Sequence, residues 1–78
     1  MKKLLFTKQF KNDNYKFYLK NTYNGDFIVI EIYDGSIGYP SQALYNNGNP
    51  IALSDDISKS ALNFIKSAVK SNGYSYLV

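Results

Sequence analysis

The residues able to do chemistry in this chain are few and poorly placed for it. Asp55-Asp56 is the only adjacent pair of carboxylates. Joined by Asp34, it would offer the hard oxygen ligands that Mg²⁺ takes. The pair follows Ser54 and precedes an apolar run of helical spacing, where acids serve the positive end of a helix dipole. Ser54, Ser58 and Ser60 would need a base to become nucleophiles. The chain has no His, and Lys59 falls on the wet, polar side of the expected helix, away from any site that would make it a base. The stretch "YDGSIGYP" holds Gly35 and Gly38. It lacks the Gly-x-Gly-x-x-Gly spacing and the following helix of a phosphate cradle, so its glycines are assigned to turn geometry. Absence of Cys removes disulfides and thiolate metal sites. Absence of His removes the commonest metal ligand and general base. The expectation is a protein that is not an enzyme and uses no cofactor or metal.

What remains is architecture. The chain has 78 residues, which sets the expectation of one domain over 1–78. Its core must come from the 45% apolar residues, among them eight Tyr and five Phe. Each ring buries a large area at low entropy cost. Tyr23-Asn24-Gly25-Asp26 sets Asn-Gly between two runs of β-formers, the composition of a two-residue hairpin turn. Counting outward from Asn24-Gly25 places Leu19 opposite Ile30 and Phe17 opposite Ile32. It places Tyr18 opposite Glu31, Lys16 opposite Tyr33 and Lys20 opposite Val29. An earlier strand, with Leu4, Phe6 and Phe10 on one side, reaches this hairpin through Lys11-Asn12-Asp13-Asn14. There Phe10 would face Tyr15, Phe6 would face Leu19, and Lys8 would lie near Phe17. Residues 3–34 thus read as a three-stranded antiparallel meander.

Gly and Pro punctuate residues 35–54. Short strands at Gln42–Tyr45 and Ile51–Leu53 would form a second hairpin over "NNGN". The helix is predicted from Ser54 as N-cap, with Ile57, Ala61, Phe64, Ile65 and Ala68 at helical spacing and Leu62 and Val69 widening the stripe. Asn72-Gly73 is its stop. Tyr74–Val78 can add a short last strand. The fold class is α+β, with the helix packed on one face of the sheet.

One helix cannot cover both faces of a sheet. The far face carries Lys16, Tyr18 and Lys20, with Phe27, Val29 and Tyr33 beside them, and residues 35–53 are the segment available to cover it. The candidate partner-binding residues are therefore Lys16, Tyr18, Lys20, Phe27 and Tyr33, since aromatic residues are enriched at interfaces. The competing reading is that Tyr and Lys merely suit solvated β positions. A secondary candidate is the polar helix face of Lys59, Lys66 and Lys70.

Nine Lys against six Asp and Glu give a net charge of +3, and there is no Arg. Arg is the preferred residue for bidentate phosphate and guanine contacts, so a protein partner is favoured over nucleic acid. The richness in Lys, Asn, Ile and Tyr points to a low-GC bacterial or phage genome. "MKKLLF" is too short in its apolar part for a signal peptide, and no run approaches a membrane span, so the expected location is the cytoplasm. The expected function is a small binding module of a phage or mobile element. It would inhibit or regulate a larger host protein or ribonucleoprotein complex by occupying it, as anti-restriction and anti-CRISPR proteins do. The alternatives are a basic nucleic-acid-associated regulator using the Tyr/Lys sheet face, and a homodimer whose interface is that face.

Overall fold

Two strands rich in aromatic and β-branched residues make the centre of the sheet: β2, Asp13–Thr22, and β3, Gly25–Tyr33. The structure is a computed structural model. It describes residues 2–23, 25–35, 40–46, 49–54 and 57–74. β2 and β3 pair antiparallel, with Tyr15 opposite Ile32, Phe17 opposite Ile30 and Leu19 opposite Ile28. This register differs by two residues from the one counted from Asn24-Gly25. A shift of two preserves which side chains share a face, so the face assignment holds while every pair changes. The reason lies at the end of the hairpin. Thr22 pairs with Gly25 and its hydroxyl donates to the Gly25 carbonyl at 2.8 Å. Asn21 Nδ2 donates to Asp26 Oδ1 at 2.7 Å. Both contacts belong to the shifted register alone. Gly25 sits at φ +115°, a conformation that L side chains avoid.

The strand before this hairpin, β1 (Lys2–Phe10), pairs with β2 through a two-residue turn at Lys11-Asn12 in place of the expected four-residue link. Lys11 takes φ +55° there. Phe10 consequently faces Asp13, Lys8 faces Tyr15 and Phe6 faces Phe17, again two residues from expectation. A bulge at Leu5, between the pairs Leu4–Tyr18 and Phe6–Phe17, reverses the facing of what precedes it. Leu4, expected beside Phe6, is turned to the far face and is 51% exposed. Leu5 packs against the core.

The second hairpin is present and longer than expected: β4, Ser41–Asn46, and β5, Asn49–Leu53. These strands do not cover the sheet. β4 pairs with the free edge of β3, giving a five-stranded antiparallel sheet in the order β1-β2-β3-β4-β5. Edge pairing satisfies the backbone N–H and C=O groups along β3, which a cover laid across the face would leave unpartnered. Among the described residues β1 and β5 are the sheet's edges. Gly35, at φ +87°, makes the turn after β3; Gly38 lies outside the described residues.

Helix α1, Lys59–Ser71, closes the other face. It starts four residues later than expected. Its N-cap is Ser58, whose Oγ accepts from the Ala61 N–H at 3.1 Å. Ser54 instead continues the β4–β5 ladder: its N–H donates to the Gln42 carbonyl and its Oγ accepts from the Gln42 N–H, both at 2.9 Å. Asp55 and Asp56 lie outside the described residues. The helix stops as expected at Asn72-Gly73. The Gly73 N–H donates to the Lys70 carbonyl at 3.1 Å and the Tyr74 N–H to the Val69 carbonyl at 3.0 Å, a Schellman arrangement with Gly73 at φ +88°. The suggested last strand falls largely on residues 75–78, outside the described residues.

Ala61, Ile65, Ala68 and Val69 bury the helix stripe against Tyr15, Phe17, Ile28, Ile30, Ile32, Ala43 and Tyr45. Stacked rings fasten β1 and α1 to this core. Phe6 lies on Phe17 and Phe10 on Phe64, each with centroids 4.4 Å apart, and Tyr15 meets Phe64 edge-on at 5.0 Å. Such contacts add roughly 0.5–1.5 kcal/mol each beyond area burial.

Candidate interaction surface

With α1 on one face, no described element packs on the other. The observed register arranges that outer face in rows running across the strands. Leu4, Tyr18, Val29, Leu44 and Ala52 form one apolar row over all five strands. At about 4.8 Å per strand spacing it is roughly 19 Å long. A row of Thr7, Lys16, Glu31 and Gln42 borders it on one side, and Lys2, Lys20 and Phe27 border it on the other.

Glu31 is the hub of this face. Its side chain is only 9% exposed although no described element covers it. Lys2 Nζ donates to Glu31 Oε2 at 2.6 Å, and the Tyr33 hydroxyl donates to Oε1 at 2.8 Å. Burial pushes the Glu31 carboxyl up. The hydrogen bonds from Lys2 and Tyr33, the Lys2 charge and a smaller contribution from the Tyr18 hydroxyl outweigh it, and the carboxyl sits below its ordinary value. Conversely, the bond to Glu31 raises the Tyr33 phenol, and burial followed by the Glu31 charge raises Tyr18. Two lysines cap the two rings: Lys2 Nζ lies 4.5 Å from the Tyr18 centroid and Lys16 Nζ lies 5.0 Å from that of Tyr33. The observed register brings these groups together. It sets Lys16 opposite Glu31, with Tyr18 diagonal to it and Tyr33 two residues along the same strand.

The structure thus gathers Lys16, Tyr18, Lys20, Phe27 and Tyr33 on one face. In place of the expected pairs, Tyr18 faces Val29 and Lys20 faces Phe27. Lys59, Lys66 and Lys70 are exposed on α1, across the sheet from that group. Sequence reasoning missed the roles of Glu31 and Lys2, and the membership of Leu4 and Leu44 in the surface. Glu31 carried one usable signal, an acid among apolar neighbours in a central strand. Lys2 carried none.

Among the described residues no cluster of three or more His, Cys, Asp or Glu could hold a metal. Ser58 is engaged by its cap and by Ser60 at 3.1 Å, and Lys59 is exposed. On the helix side of the sheet a cleft of about 310 Å³ opens between Phe10, Lys11, Asp13, Tyr15, Ile57 and Ser58. It lies at the small end of the range for ligand sites. No described helix is long and apolar enough to cross a membrane. The chain matches no protein-family model, no curated protein and no solved structure.

Proposed function

We propose that this protein is a small non-catalytic binding module that acts by occupying a larger protein or ribonucleoprotein through its outer sheet face. In a phage or mobile element, an origin the low-GC composition suggests, such a module would inhibit or regulate a host complex in the manner of anti-restriction and anti-CRISPR proteins. The observation that carries the reading is the uncovered face whose aromatic side chains are held in place. Tyr33 is tied to Glu31, and Tyr18 and Tyr33 are capped by Lys2 and Lys16, so little side-chain freedom is lost when they are buried by a partner. Nucleic acid is the weaker reading on a specific ground. Base stacking needs open ring faces, and a lysine lies over each of these two rings.

The test uses the tagged protein as bait in extract from a low-GC bacterial host, followed by affinity measurement with whatever protein is recovered. Tyr18→Ala and Tyr33→Ala should each weaken binding by roughly 30-fold or more, the loss of about 2 kcal/mol typical of an interface aromatic. Circular dichroism should show both variants folded. Lys16→Ala with Lys20→Ala should reduce binding mildly, through the association rate. Dominant lysines, silent tyrosines and a steep salt dependence would replace this reading with the nucleic-acid one.

A further inference from the structure

We infer that the outer face takes an acidic amphipathic protein segment, apolar along its centre and carrying carboxylates on both flanks; this rests on the outer face being the working surface, as proposed above. The apolar row of Leu4, Tyr18, Val29, Leu44 and Ala52 supplies the centre. Val29 is buried at its middle, while Leu4 is 51% exposed at one end, so the row offers open aliphatic surface. Cations stand on both sides of it. Lys16 lies in the row on one side and Lys20 in the row on the other, while Lys2, whose backbone pairs with Lys20, sends its ammonium across the Tyr18 ring to Glu31 in the Lys16 row. Glu31 pairs with Lys2, and among the described residues neither Lys16 nor Lys20 has an ion-pair partner. Three lysines against one glutamate leave these rows a net +2 with no free acid of their own.

That charge pattern selects the occupant. A second copy in a two-fold pair would set the same +2 patch against itself, and facing like charges oppose association. A nucleic acid would meet capped rings and a buried carboxylate. A segment with its own carboxylates flanking an apolar stripe answers all three rows together, in the way amphipathic helices dock on apolar surfaces.

The experiment titrates two synthetic helical peptides of about 18 residues, or five turns, into ¹⁵N-labelled protein. One carries leucines on one face with glutamates on both flanks; the other has lysines replacing the glutamates. The acidic peptide should bind about tenfold tighter or more, with amide shifts centred on Leu4, Tyr18, Phe27, Leu44 and Ala52. Lys16→Glu with Lys20→Glu should reverse the preference. Ala52→Glu, at an exposed edge position that tolerates charge, should weaken the acidic peptide about tenfold with an unchanged circular dichroism spectrum.

Equal affinity for the two peptides, shifts centred on α1, or no saturation below about 1 mM would overturn the inference. So would preferential binding to phosphatidylserine vesicles, or a dimer in the ultracentrifuge that Ala52→Glu dissolves. The broader reading is judged separately. If neither peptide binds while Tyr18→Ala still abolishes capture of the recovered partner, the face works but its occupant is of another kind. If Tyr18→Ala leaves that capture intact, the outer face itself is wrong.

Discussion

Replacing Lys2 with methionine isolates the ion pair that holds the outer face together. Lys2→Met keeps most of the apolar stem and removes the ammonium from a carboxylate whose side chain is 9% exposed. Two limits bracket the cost. Exposed ion pairs contribute about 0–1 kcal/mol, whereas removing one partner of a fully buried pair costs about 3–5 kcal/mol. Lys2 itself is 41% exposed and water can reach the vacated space, so the lower half of the range applies and about 1.5–2 kcal/mol is expected. For a domain of this size that corresponds to a fall in Tm of roughly 6–16 °C. Glu31→Leu should behave differently. It removes the buried charge and extends the apolar surface beside Val29, so it should stay within about 1 kcal/mol of the parent. In the double variant Lys2 has already lost its partner, and the stability should match Glu31→Leu alone to within roughly 0.5 kcal/mol. Urea denaturation followed by circular dichroism supplies all four values. A Lys2→Met effect below about 0.5 kcal/mol, with no coupling in the cycle, would show that the pair contributes nothing and that Tyr33 alone holds the carboxylate. The pH profile gives a second readout. The folded carboxyl lies below its ordinary value, so the unfolded chain binds the proton more readily. Glu31 therefore contributes stability above its unfolded pKa of about 4.3, and that stability is lost as pH falls through the folded value. Lys2→Met should move the loss to higher pH, and Glu31→Leu should remove this component.

Three local devices give simpler expectations. Ser58→Ala should cost about 1 kcal/mol through loss of the N-cap, and an unchanged urea midpoint would show that α1 is capped elsewhere. Gly25→Val should cost about 1–3 kcal/mol from backbone strain alone, because a Cβ there meets nothing within 4 Å; thermal melts decide it. Lys11→Gly should stabilise slightly, by about 0.5 kcal/mol. It relieves roughly 1–2 kcal/mol of left-handed strain and gives back about 0.5–1 kcal/mol as added freedom of the unfolded chain. A lower melting temperature would show that the φ of +55° at Lys11 carries no strain.

Faces were legible in the sequence, but pairings were not. Alternation along Tyr15–Lys20 and Phe27–Tyr33 marks which residues share a side, and slipping the hairpin by two residues leaves that pattern intact. Asn24-Gly25 located the hairpin turn to within one residue, too coarse to choose between registers two residues apart. The bulge at Leu5 was hidden because Leu4-Leu5-Phe6 is a continuous apolar run with no alternating phase to break. At the helix start, Ser54 and Ser58 are the same residue type one helical turn apart. Only the demand of the β4–β5 ladder for Ser54 separates them. The second hairpin was visible through "NNGN", yet its destination depended on the open edge of β3, a property of the assembled sheet. The same holds for the candidate surface. Its tyrosines and lysines could be listed from alternation, while the Lys2–Glu31 contact joins residues 29 apart in the chain and exists only once β1 and β3 flank β2.

The strand order, which follows the chain from β1 to β5 with the helix after them, bears on how the protein is made. Each strand can pair with its predecessor as soon as it leaves the ribosome, since every hairpin closes over a short loop. The sheet completed in that way still lacks the buried face of Ala61, Ile65, Ala68 and Val69. Until residues 59–71 emerge, Phe17, Ile28 and Ile30 present a bare apolar face to the cell. Stable structure must therefore arrive in one late step, when the helix lands. Slowing translation or introducing a stop just before Lys59 would leave a species prone to aggregation or to capture by chaperones.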